Sequence, residues 1–136
     1  MKILDQVFRL STLKRSEMVD ITAQVQEYVR QCGIESGRVT VFCPHTTAAI
    51  TINENADPDV QHDILLTLNE LFPQHRSGYR HNENNSDSHV KASLFGASET
   101  ILVKDSTLVL GTWQGIYFCE FDGPRTRKFM VTIEGN

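Results

Sequence analysis

The chain has 136 residues, 40% hydrophobic and 22% charged, and 17 acidic against 13 basic side chains give a formal charge of −4. That length fits one domain over 1–136, long enough to bury a core without staples. The acidic balance points away from nucleic acid and anionic membrane as main partners, and no window approaches the roughly 20 apolar residues of a bilayer span. Cys32, Cys43 and Cys119 are odd in number and scattered, which fits reduced thiols better than a disulfide framework. Met1 to Asp5 carries no charged start leading into a long apolar run, so the expectation is a soluble, cytoplasmic protein.

Val7 to Leu13 reads as a first strand. Asp20 offers an N-cap for a helix over 21–32, with Ile21, Val25, Tyr28, Val29 and Cys32 on one face and Gly33 at its stop. Val39 to Cys43 and Thr46 to Ile52 read as strands separated by a Pro44-His45 corner, because proline cannot donate to a ladder. Asp57-Pro58-Asp59 is a strong helix start. Val60, Ile64, Leu68, Leu71 and Phe72 follow it as the expected buried stripe. Val90 to Ala97 predicts one or two helical turns. Thr100 to Val103 and Leu108 to Leu110 flank a hairpin turn, Trp113 to Phe121 is a longer strand, and Arg127 to Ile133 returns the chain after the 122–125 turn. The sum is an α+β domain: a mostly antiparallel or mixed sheet packed with two or three helices.

The stretch from Gly78 to His89 has one aromatic and no aliphatic side chain. It has little apolar surface to offset the entropy of ordering it. Its polar groups therefore need a partner, and the expected one is Pro44-His45-Thr46-Thr47 with Asn53-Glu54-Asn55, the two segments meeting in one pocket. His45, His81 and His89 are candidate metal ligands, since three imidazoles with an open position suit a catalytic zinc. Their spacing matches no metal motif, and the alternative is loop histidines bonded to backbone. Glu54, at the end of an apolar strand face, and Asp87, able to cap, ligate or orient a histidine, are the acid/base candidates. Asp57 reads as a helix cap, and His62 and His75 read as surface residues. Arg125, Arg127 and Lys128 form the basic cluster, suited to phosphate or simply solvated. Thr46 and Thr47 can add hydroxyl contacts to an anion. Trp113 and Gln114 sit between glycines, read either as a glycine turn with a core tryptophan or as a pocket wall, and Asn84 lies between the two histidines of the polar stretch. Cys43 and Cys119 read as buried small hydrophobes.

Pro44-His45-Thr46-Thr47-Ala48-Ala49, Asn53-Glu54-Asn55-Ala56-Asp57, Tyr79 to His89, Leu110-Gly111-Thr112-Trp113-Gln114 and Phe121-Asp122-Gly123-Pro124-Arg125 together resemble, in that order, the YjbQ family. Bacterial members of that family are described as having secondary thiamine-phosphate synthase activity. The resemblance implies a homotrimer of α+β domains that joins an aminopyrimidine diphosphate to a thiazole phosphate with release of diphosphate. It would place a divalent metal (zinc, magnesium or manganese) or the diphosphate on His45, His81 and His89. Arg125 and Arg127 would then neutralise phosphate, Trp113 or Tyr79 would stack on a ring, and Glu54 or Asp87 would orient a histidine or manage a proton. Two rival readings use the same residues: a metal-dependent hydrolase of a small phosphorylated compound, and a non-catalytic metabolite- or metal-binding protein.

Overall fold

The computed structural model describes all 136 residues. Its strands are β1 (Lys2–Ser11), β2 (Glu17–Asp20), β3 (Ser36–Phe42), β4 (Ala48–Glu54), β5 (Ser98–Lys104), β6 (Thr107–Leu108), β7 (Gln114–Glu120) and β8 (Thr126–Gly135). The helices are α1 (Thr22–Cys32), α2 (Pro58–Leu71) and α3 (Ser86–Phe95). Every strand pairing is antiparallel, in a five-stranded sheet ordered β1-β8-β3-β5-β6 and a three-stranded sheet ordered β2-β7-β4.

Alternation along the central strands explains how the layers stack. Ile116 and Phe118 of β7, with Ala48 and Ile50 of β4, face Val39, Val41, Phe129, Val131 and Ile133 of the larger sheet. Val25 and Val29 of α1 close that core. The opposite face of the smaller sheet turns Ala49, Tyr117, Cys119 and Phe121 onto Ala92 of α3, with Leu65 and Leu68 of α2 packed alongside. The smaller sheet is thus buried on both faces.

The larger sheet is covered on one face only. Its outer face carries the rows Ile3-Glu134-Arg38-Leu102 and Val7-Met130-Phe42-Ser98. Ile3 and Leu102 are both 63% exposed there.

Local chemistry sets the element ends. Ile21, not Asp20, holds the cap position of α1, and Asp20 one residue earlier accepts from the Thr22 N–H at 2.9 Å. Asp57 caps α2 as expected, accepting from the Asp59 N–H at 2.9 Å. Asp105 and Ser106 have φ of 52° and 58°, the left-handed pair that a tight β5–β6 hairpin requires. Three further expectations need correction. The first strand runs from Lys2, not Val7, because it is zipped along all of β8, and β2 was not anticipated at all. The α2 stripe is only half-buried: no residue of that helix is fully buried and Leu71 is 63% exposed. Finally, α3 begins four residues earlier than Val90, drawing Ser86 to His89 out of the polar stretch.

Candidate functional site

The larger part of the site forms where three loops meet at one end of the two sheets. The corner after β3 brings Pro44, His45, Thr46 and Thr47. The start of α3 brings Asn85 and His89, and the β7–β8 turn brings Asp122, Arg125 and Arg127. Together with Glu83 they line an open cavity of about 340 Å³ in which Pro44 is the one apolar side chain.

The β7–β8 turn is anchored from outside. Gly123 N–H donates to the Arg15 carbonyl at 3.0 Å, and Thr12 N–H donates to the Arg125 carbonyl at 2.9 Å. A Cβ on Gly123 would collide with the Lys14 carbonyl, so only glycine permits this close approach. Beneath the turn, Glu120 and Arg127 form a buried pair. Arg127 Nε donates to Glu120 Oε1 at 2.8 Å, and Arg127 Nη2 bonds both Glu120 Oε2 and Thr47 Oγ1. Thr12 Oγ1 donates to the same carboxylate at 2.8 Å. Burial alone would push the Glu120 carboxyl up, but Arg127, the Asp122 N–H and Thr12 outweigh it and hold Glu120 below its ordinary value.

His45 is held in one tautomer. Its Nε2 accepts the Lys128 N–H at 3.0 Å, so the ring proton sits on Nδ1. Burial, and then the nearby Arg127 charge, hold the imidazole below its ordinary pKa, and the ring is neutral at pH 7. Arg125 spends Nε on the Asp122 carbonyl and Nη2 on Asp122 Oδ2, which leaves Nη1 without a protein partner. Asn85 donates from Nδ2 to the same Asp122 oxygen at 2.8 Å. Asn85 Oδ1 is the one buried side-chain polar atom with no hydrogen-bond partner.

Asp87, fully buried, lies behind the cavity. It accepts from Arg15 at 3.0 Å and 3.1 Å and from Lys91 Nζ at 2.8 Å, and Lys91 reaches on to Asn69 of α2. Burial would raise its pKa, but the two cations more than offset this and hold it below the usual range. These contacts fix the first turn of α3 against the β1–β2 connection.

His45, Thr46, Thr47 and His89 are brought together as the polar segments suggested, Arg125 and Arg127 join them as the resemblance implied, and Asn53 to Asn55 do not line the cavity. Tyr79, His81 and Asn84 line a neighbouring cavity instead. Glu54 closes β4, paired with Gln114, and both Gln114 and the 62% exposed Trp113 lie off this cavity.

The expected metal centre is corrected. No three His, Cys, Asp or Glu side chains of this chain converge on a metal position. His81 sits 3.5 Å from Glu83 and on the far side of His89, and the Nε2 lone pair of His45 is occupied by a backbone N–H. Coordination needs lone pairs aimed at one point about 2 Å away.

Sequence reasoning missed Glu120, Asn85, Asp122, Arg15 and Lys91. A signal existed for one pair: Glu120 shares strand parity with Ile116 and Phe118, and Arg127 with Phe129 and Val131, so two opposite charges faced the same core.

The family described as "UPF0047 protein YjbQ-like" matches residues 6–136. The UPF0047 protein YugU of Bacillus subtilis is 50% identical over 130 residues, covering 96% of this chain and 98% of that one. The crystal structure of an uncharacterised YjbQ/UPF0047-family protein of Clostridium acetobutylicum is similar at 52% identity and a TM-score of 0.93. It covers 95% of this chain and 99% of that one. A YbjQ-like protein of unknown function from Sulfolobus solfataricus has a TM-score of 0.94 at 38% identity, covering 99% of each chain. These matches overturn the thiamine-phosphate synthase expectation, since the relatives carry UPF0047 names or are described as of unknown function. The chain belongs to the YjbQ/UPF0047 family.

Proposed function

We propose that this YjbQ-family protein is an enzyme that binds a small phosphorylated compound in the His45–Arg125 cavity and catalyses proton transfer on it. The observation that carries the reading is the His45 tautomer. A neutral imidazole whose Nε2 is occupied presents Nδ1–H as a donor, able to stabilise negative charge developing on a substrate oxygen without protonating it. Arg125 Nη1 supplies a free guanidinium edge for phosphate, and Thr47 Oγ1, which accepts from Arg127, keeps its own hydrogen to donate. His89, on the same cavity, is assigned the proton acceptor. In the proposed step His89 takes a proton from the substrate while His45 and Arg125 hold the resulting charge.

The test is incubation with a panel of small phosphorylated hydroxy and oxo compounds in D2O, read by NMR. At least one is expected to incorporate deuterium, with the rate falling roughly 10²-fold or more in His89→Ala. No exchange with any compound, or equal rates in wild type and His89→Ala, would contradict the assignment.

We place the protein in the cytoplasm because its three cysteines are unpaired, two of them buried. We further propose assembly as a homotrimer through the outer face of the larger sheet, where Ile3, Val7, Phe42 and Leu102 stand exposed. Light scattering should give three times the 15.4 kDa chain mass, reduced by Val7→Lys with Leu102→Lys; a monomeric wild type would contradict it.

A further inference from the structure

A second cavity of about 410 Å³ adjoins the first across the start of α3. Asn85 lines one and Ser86 the other, and the rings of His81 and His89, one in each, meet edge to face with centroids 5.4 Å apart. The linings differ in charge. In the first cavity, Arg125 and Arg127 are offset by Asp122 and by Glu120 beneath, with Glu83 on the rim. The second is lined by Arg76, His75, His81, Tyr79 and Asn84 among others, and no carboxylate is among them. Arg76, exposed like Arg80, makes neither an ion pair nor a side-chain hydrogen bond, whereas Arg15, Arg125 and Arg127 are each engaged by an acid. The lining itself carries no carboxylate, Glu83 stands at its edge 3.5 Å from His81, and the unpaired Arg76 guanidinium favours an anion there.

We propose that this second cavity is a subsite for a second anionic group, so that the ligand is a short molecule carrying an oxyanion at each end. One end lies on Arg125 and the other on Arg76, with the reacting centre between them beside His89. This rests on the phosphate-binding reading of the first cavity and extends it. It also gives Tyr79, His81 and Asn84 a common place. Two anchors on a span that fits convert the second contact into an intramolecular one, so affinity rises sharply at one spacer length and falls on either side of it.

Alkane α,ω-bisphosphonates of increasing length, with the matching alkyl monophosphonates, measure this by titration calorimetry. One spacer should bind at least about tenfold tighter than its monophosphonate, and Arg76→Ala should remove that advantage, bringing the bisphosphonate down to the affinity of its monophosphonate. Equal binding of mono- and bisphosphonates at every length would overturn the second subsite and leave the first standing. Absence of binding by both series would overturn the two together. An advantage that survives Arg76→Ala would also overturn the assignment. Arg76 is exposed, so its replacement does not threaten folding.

Discussion

Glu120 and Arg127 show how one buried pair sets the chemistry above it. Arg127 is 4% exposed and Glu120 fully buried, so each is tolerated only because the other is present. Arg127 in turn orients Thr47 and adds to the burial that lowers the pKa of His45. Removing one partner leaves the other charge buried and uncompensated, which typically costs about 3–5 kcal/mol. Urea denaturation of Glu120→Ala should show a loss of that order, and Glu120→Leu with Arg127→Leu should recover much of it. A loss within experimental error for the single variant would mean that the pair does not organise the site. Asn85 is the counterpart: a fixed amide whose Oδ1 has no donor, at a position where asparagine ordinarily caps its helix. It is the least satisfied atom of the site and sits between the two cavities.

At the scale of elements, the first turn of α3 is held by ionic contacts more than by apolar packing. Of its buried residues, Asp87, Ser88 and Lys91 are polar and only Ala92 is not. Asp87 and Glu120 both have folded pKa values below their unfolded ones. Carboxylates shifted in that direction contribute stability that is fully present above the unfolded values near 3.9 and 4.3, and that is lost as pH falls through the folded values. Thermal stability should therefore hold between pH 7 and about 5 as far as these two groups are concerned, then fall below about pH 4. Asp87→Asn should flatten part of that fall while lowering stability at pH 7, because Lys91 and Arg15 lose their counter-charge. A wild-type midpoint that does not drop on acidification would contradict the assigned ion pairs.

At the scale of the whole molecule, what was legible followed from periodicity and capping. Ile21 to Cys32 and Asp57 to Phe72 announced their helices because apolar spacing, caps and stops agreed. The α+β class followed from the strands between them. The start of α3 was not legible, because Ser86 to His89 are polar and their helix is specified by Arg15 and Lys91, one of them 72 residues away from Asp87. The site was read in half: the Pro44–Thr47 corner meets His89, as its polar chemistry suggested, without Asn53 to Asn55, and Arg125 and Arg127 join it as the family resemblance implied. His81 does not converge with His45 because α3 begins between His81 and His89 and carries the latter toward a different wall. Strand parity carried the Glu120–Arg127 pair in plain sight, but pairing across the sheets was needed to recognise it.

The central claim is that the His45–Arg125 cavity is where a phosphorylated ligand binds. Backbone and histidine-ring NMR of the assigned protein, titrated with a small alkyl phosphate, tests it most directly. Shifts should concentrate at Thr46, Thr47, Asn85 and Arg125 to Lys128, with the His45 ring remaining in its Nδ1–H form at pH 7 throughout. Shifts confined to other surfaces such as α2, or a His45 ring carrying its proton on Nε2, would contradict it.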